Sequence, residues 1–242
     1  MSAEVQTPTS EEESGVVRFL KSSLQQLFVF LALVIIYIFF LFAAPNFAQF
    51  SIVLDIFQQS AYIGVMALGA TFVIATGGID LSSGTGMTLV AVMAGVFLSG
   101  DWLNWPLGGG LIAILLVGAL IGLVNGLNVA RLRLPPFIAT LAMMMVARGL
   151  ALIISDKSSI TIKNPGYGWL ANGQLIPGVP NAVLLFILLA ILAAFLLNKT
   201  LLGRYALAIG SNEEATRLSG VNIKLWKMLV YVVAGVFVAL GA

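Results

Sequence analysis

The chain has 242 residues, of which 60% are hydrophobic and only 9% charged, with a formal net charge of +2. A soluble domain carries about 25% charged residues, so this sequence cannot clothe a water-facing surface; its apolar excess must face lipid, in line with a mean hydropathy of +1.06. Without Cys or His there are no thiol nucleophiles, disulfides, imidazole bases or the commonest zinc ligands; carboxylate chemistry is left open, and the small net charge gives no case for nucleic acid.

Residues 1–22 read as a disordered cytoplasmic tail, with Glu4, Glu11, Glu12 and Glu13 in its polar part and Arg18 and Lys21 before the first span. No small-residue cleavage site marks it as a signal peptide. The first uncharged span covers 24–44 and ends at Pro45-Asn46. Residues 45–59, with Asp55 in an apolar stretch, read as an interfacial helix. A second apolar stretch, 60–76, and a third, 85–99, flank the polar break Gly77-Gly78-Ile79-Asp80-Leu81-Ser82-Ser83-Gly84. Both flanks are short for crossing helices. The break therefore belongs at or within the membrane boundary, where irregular backbone must be buried in protein or line a cavity.

Trp102 and Trp105, in the loop 101–106, suit interface depth. The fourth span, 107–130, carries Gly118, Gly122 and Gly126 four residues apart, a smooth face on which a neighbouring helix can pack closely. Arg131 to Pro136 stop it. The fifth span, 137–154, contains Arg148; a polar segment, 155–180, and a sixth span, 181–197, follow. A basic segment, 198–227, leads to a seventh span that opens at Met228 and is left incomplete at Ala242. The expected fold is all-α: a polytopic transmembrane helical bundle of about seven spans, the last incomplete, in one domain over 23–242 truncated at its C-terminus.

Placing the N-terminus in the cytoplasm, with each span crossing once, puts Arg18, Lys21, Arg131, Arg133, Lys199, Arg204, Arg217, Lys224 and Lys227 inside and Lys157 and Lys163 outside, nine against two. That is the positive-inside bias, and omitting either short stretch spoils it. No G-x-x-x-x-G-K-[ST] loop appears, so the chain has no P-loop with which to power transport.

Four features are candidates for function. In the segment 202–227, Ser211 and Glu214 have the S-x-x-E spacing of a capping box. Glu213 and Glu214 would sit at the positive end of a short helix, Ala215 and Leu218 would share its face, and Gly220 would stop it in a left-handed turn. Such a helix can dock into a groove on a cytoplasmic partner or simply join two spans. In the break, Asp80, Ser82, Ser83 and Thr85 could line the way of a polar neutral ligand, or form a plain turn with Asp80 capping the next helix. Arg148 must face a cavity, snorkel, or pair with a charge such as Asp80. Asn125 and Asn128 suit hydrogen bonds between helices. No catalytic residue and no metal ligand is assigned.

Three stretches, ATGGIDLSSGTGMTLVAVMAG at 75–95, LPPFIATLAMMMVARGLALI at 134–153 and LLGRYALAIGSNEEATRLSGVNI at 201–223, together resemble the membrane permease of bacterial ABC importers for simple sugars, in the ribose-type branch. The likeness runs from about residue 45 to the end, with Ser83 standing where the family often has Val. The resemblance implies a permease of the bacterial inner membrane that translocates a monosaccharide and makes no covalent bond. Its partners would be a cytoplasmic ABC ATPase that binds the ATP, a periplasmic sugar-binding protein and a second permease subunit, identical or a sister. The chain itself would hold no cofactor. Gly210, Ser211, Asn212, Glu213, Glu214, Ala215, Leu218 and Gly220 would form the helix that couples to the ATPase. Gly77, Gly78, Asp80 and Ser82, with Asn125 and Arg148, would lie on or near the translocation path. The alternatives are a permease for branched-chain amino acids or nucleosides, an ion-coupled secondary transporter and, least of all, a membrane enzyme.

Overall fold

The computed structural model describes residues 15–45 and 47–242, and side chains from Leu27 onward apart from Asn46. Among the described residues ten helices follow one another: α1 (Gly15–Ala43), α2 (Phe50–Ala75), α3 (Ser83–Leu98), α4 (Leu107–Ala130), α5 (Pro136–Ile154), α6 (Pro165–Asn172), α7 (Asn181–Lys199), α8 (Leu201–Ser211), α9 (Glu213–Leu218) and α10 (Ile223–Gly241). Of the tail expected over 1–22, residues 1–14 lie outside the described residues, and α1 is already helical from Gly15.

Among the described residues five helices, α2, α4, α5, α7 and α10, are long and apolar enough to cross a membrane, and Leu27–Ala43 and Ser83–Leu98 are shorter apolar helices. The all-α polytopic bundle is therefore present, with two boundaries moved. The interfacial helix expected over 45–59 does not stand alone: from Phe50 it is part of the 26-residue α2. Polar side chains such as Asp55 and Gln58 do not break backbone hydrogen bonding as a proline would, and no proline lies between Phe50 and Ala75. The last span opens at Ile223 rather than Met228, because the Asn222 side chain caps it by accepting from the Leu225 N–H. Its 19 residues already have the length of a span.

The chain divides into two compact units, Met1–Val53 and Leu54–Ala242. In the first, the Tyr37 and Phe40 rings of α1 pack on Phe47. In the second, α10 is the central element, with 44% of its apolar window buried against 17–28% for the other four spans. Val230, Tyr231, Ala234 and Phe237 join a core with Val65, Phe72 and Val73 of α2, Leu189 and Ala193 of α7 and Ala206 of α8. Ala239 reaches a second core made by Leu89, Val90, Ala94 and Leu98 of α3, Ile114 and Ile121 of α4, and Ala147 and Ala151 of α5.

The glycine face of α4 is what lets α10 in. A Cβ at Gly118 would meet the Gly235 carbonyl oxygen, and one at Gly122 the Tyr231 carbonyl oxygen. One at Gly126 would lie 2.9 Å from the Met228 Cα. The expected packing face is thus confirmed, and α10 answers it with its own glycine, Gly235 against the Gly118 carbonyl. Ile112, Leu116 and Leu120, spaced by four on α4, are all exposed. In lipid such residues gain little by association, so close backbone packing is left to hold the helices together.

Candidate functional site

The break between α2 and α3 is built from two standard pieces of local chemistry. At the end of α2 the Gly78 N–H donates to the Val73 carbonyl (3.1 Å) and the Gly77 N–H to the Ile74 carbonyl (2.9 Å). Gly77 has φ +74°. This is the Schellman stop, which needs a left-handed residue just past the helix. The Asp80 carboxylate then accepts from the Ser82 N–H at 2.9 Å and the Ser82 hydroxyl at 2.6 Å, an Asx turn that leads into α3. The irregular backbone is held by protein: the Ile79 carbonyl accepts from the Tyr231 hydroxyl at 3.3 Å and, at 3.5 Å, from Thr140.

Asn125 belongs to the same network. Its Nδ2 donates to Ser82 Oγ at 2.8 Å, so the interhelical hydrogen bond expected of it is present, while its buried Oδ1 has no partner among the described residues. Asp80, Ser82 and Asn125 therefore form one polar chain from the break into α4. Arg148 does not join it. The ion pairs among the described residues are Arg217–Glu214 and Lys227–Glu213, so of the alternatives for Arg148 the pairing with Asp80 is not the one taken. Asp80 is satisfied two residues on by Ser82 instead. Arg148 borders a groove between α3 and α5, with Thr85, Thr88, Val92, Ala151, Leu152 and Ser155.

The segment 202–227 is more helical than its charge pattern indicates. Leu201–Ser211 is α8, whose buried Gly203, Ala206 and Ile209 recur every three residues. Gly203 lies against the Leu197 backbone, and Gly210 rests on the Ala75 carbonyl at the end of α2. Because α8 takes up Ser211, the cap moves one residue on: Asn212, not Ser211, caps α9, its Oδ1 accepting from the Ala215 N–H at 2.9 Å. Glu214 is accordingly not half of a capping box. It accepts from Arg217 Nε at 3.0 Å, and that bond holds its carboxyl below the usual carboxylate range. Glu213 accepts from Lys227 Nζ at 2.6 Å.

The shared face expected for Ala215 and Leu218 is not buried in this chain. Leu218 is 77% exposed, and the residue α9 buries is Thr216. The stop at Gly220 is as expected, with φ +84°.

These elements meet in space. Gly210 on Ala75 brings α8 to the end of α2 where the break begins. A cavity of about 770 Å³ beside α9 is lined by Arg133, Pro135 and Pro136 of the α4–α5 connection and by Glu213, Glu214, Arg217, Lys224 and Lys227. Tyr231 and Thr140 were not singled out in the sequence, and Lys227 was read only as a cytoplasmic charge. The signal for Thr140 was its place four residues after Pro136, whose carbonyl it bonds at 2.8 Å; Tyr231 offered only a hydroxyl in an apolar span.

Glycine-packed spans, a protein-held break between two apolar helices and a capped helix between the last two spans describe a polytopic helical membrane protein. Residues 52–242 match the family described as Branched-chain amino acid transport system / permease component, and the chain belongs to that family. It is 35% identical over 237 residues to the ribose import permease protein of Escherichia coli (strain K12), covering 96% of this chain and 73% of the relative. To the galactofuranose transporter permease protein of the same organism it is 37% identical over 207 residues, 82% of this chain and 59% of the relative. To the fructose import permease protein of Bifidobacterium longum it is 37% identical over 189 residues, 76% and 52% respectively. No solved structure matches it. The protein is a membrane transport subunit, not an enzyme.

Proposed function

We propose that this chain is the membrane-spanning permease of an ATP-driven importer that carries a monosaccharide across the bacterial inner membrane. Its similarity to permeases named for ribose, galactofuranose and fructose supports the substrate class. A cytoplasmic ABC ATPase supplies the energy, a periplasmic binding protein delivers the sugar, and a second permease subunit completes the pathway.

The observation that carries this reading is α9. It is capped by Asn212, stopped by Gly220 and tied to α10 through Glu213 and Lys227, yet it leaves Leu218 unburied. An apolar side chain held out on a braced helix can seat in a partner's groove. A push on α9 would pass to α10 and through the Gly235–Gly118 contact to α4, and through α8 to the break. That is the mechanical link alternating access requires.

The N-terminus is cytoplasmic in this reading. In its favour, Arg133, Arg217, Lys224 and Lys227 all line the cavity beside α9, as the positive-inside rule asks of a cytoplasmic face. Gly77, Gly78, Asp80, Ser82 and Asn125 form the hinge of the pathway near that face.

The test is uptake of labelled sugars by vesicles holding the permease, its ATPase and its binding protein, with ATP inside. Sugar uptake that requires ATP supports the proposal. Uptake of leucine or a nucleoside instead transfers the reading to the other branch of the family, and uptake without the ATPase defeats it.

A further inference from the structure

We infer that the groove between α3 and α5 around Arg148 is a water-filled, sugar-contacting stretch of the pathway; this rests on the reading of the chain as a sugar permease. Arg148 lies twelve residues after Pro136 and six before Ile154 in α5, so about 18 Å and 9 Å along the helix axis from its two ends. A helical side chain leans toward the N-terminus of its helix, which takes Arg148 away from the nearer end and hinders snorkelling. The residue is exposed on this chain. Among the described residues it has neither an ion-pair partner nor a hydrogen bond. A bare guanidinium at that depth is costly against hydrocarbon and almost always faces a bundle interior or a water-filled cavity.

The groove, with a volume of about 300 Å³, is at the small end of ligand clefts, and its chemistry is two-sided. Arg148 offers donors only. Thr85 and Thr88 line the groove and donate their hydroxyl protons to the Ser82 and Gly84 carbonyls, at 3.2 Å in each case, so what these hydroxyls have left to offer is acceptor capacity. Each hydroxyl of a sugar both donates and accepts, and finds both partners here. A simple anion would leave the threonine oxygens unused. Val92, Ala151 and Leu152 supply the apolar remainder of the lining, suited to the C–H faces of a sugar ring.

The chain has no cysteine, so a single introduced thiol can be followed in the full chain assembled with its partners. Membranes carrying Thr88→Cys, and separately Thr85→Cys in case one variant does not assemble, are treated with a membrane-impermeant cationic thiol reagent. Leu116→Cys, on the exposed apolar face of α4, is the comparison. The groove thiols should label about tenfold faster or more than the Leu116 thiol, and excess transported sugar should slow them; Arg148→Gln should lower the maximal rate of sugar uptake by about tenfold, the loss of one good polar contact, and should abolish the protection that sugar gives the groove thiols. Groove thiols as inert as the Leu116 thiol show lipid or a neighbouring subunit filling the groove and overturn the proposal. So does rapid labelling that sugar slows equally with and without Arg148. Labelling does not depend on transport, so a failure of the function reading itself appears separately, as absent sugar uptake by the unsubstituted complex.

Discussion

Lys227 on α10 donates to Glu213 on α9 across 2.6 Å, the lysine side chain only 20% exposed and the glutamate 54%. The pair spans two helices joined through the left-handed Gly220, so it fixes the angle at which α9 stands off the bundle. Glu213 is therefore engaged within its own chain, which makes it a strut for α9. Half-exposed pairs contribute about 0.2–1 kcal/mol, enough to tilt a small helix but not to unfold the protein. Glu213→Lys or Lys227→Glu alone should lower sugar transported per ATP hydrolysed while leaving membrane insertion intact. The double swap should restore most of it. Singles that transport normally would remove the strut from the mechanism.

Hydropathy revealed the spans directly, since twenty uncharged residues have few other uses, and the spacing of Gly118, Gly122 and Gly126 announced a packing face before its partner was known. What escaped were features whose signal is local and weak. The α8 helix hides at the start of a stretch that reads as a basic connection, with only Gly203, Ala206 and Ile209 marking its inner side. The α6 helix rests on Asn164, which caps it at the Gly166 and Tyr167 N–H groups ahead of a proline. The cap of α9 moved from Ser211 to Asn212 because a cap's identity depends on where the preceding helix ends. The separation of Arg148 from Asp80 could not be read from the sequence, because pairing across helices depends on their rotation.

Gly220 has φ +84° with open space around its missing Cβ, so its constraint is backbone conformation and not crowding. Left-handed geometry costs an L-residue about 1–2 kcal/mol. Gly220→Val should re-aim α9 and uncouple hydrolysis from uptake, whereas Gly220→Asn, which tolerates the conformation better, should lose less. Simultaneous ATPase and uptake assays on the two variants check the order; normal coupling in Gly220→Val would deny the turn any part in the mechanism.

At Gly122 the constraint is space. Its Cβ would enter the Tyr231 carbonyl of α10, while a Cβ at Gly109 on the same helix meets nothing within 4 Å. Gly122→Val should prevent stable assembly of α4 with α10 and abolish recovery of folded permease in mild detergent. Gly109→Ala should be neutral or stabilising by up to about 1 kcal/mol, since alanine restricts the unfolded chain. Size-exclusion profiles and melting curves of the two variants give the comparison, and equal behaviour would contradict the helix contact.

Glu214 and Arg217 form a pair three residues apart on α9, and the glutamate's folded-state pKa is lowered by that bond. A lowered carboxylate pKa means the stabilisation is complete above the group's ordinary value of 4.5 and is lost as pH falls through the lowered one. Amide exchange over residues 213–219, compared at each pH with Glu214→Gln, should be slower in the unsubstituted protein at neutral pH. The two should converge in acid. A constant difference across that range would show that the pair does not order the helix.

The Ser82 hydroxyl donates to Asp80 at 2.6 Å and accepts from Asn125 Nδ2 at 2.8 Å, while Asn125 Oδ1 has no partner among the described residues. The two ends of the Asn125–Ser82 bond are therefore unequal. Ser82→Ala strands the Asn125 amide in a buried site, whereas Asn125→Leu removes the stranded oxygen along with the donor and keeps the side-chain volume. Leaving a buried polar group unpaired costs about 1–3 kcal/mol, and replacing it with an apolar group of like shape is nearly neutral. Ser82→Ala should thus lower the melting temperature in detergent more than Asn125→Leu does, and adding Asn125→Leu to Ser82→Ala should recover part of the loss. Hydrogen bonds between membrane helices average about 0.6 kcal/mol, so the cycle must resolve that scale. Strictly additive effects would mean that the two side chains act independently and that the break is held by Tyr231 and Thr140 instead.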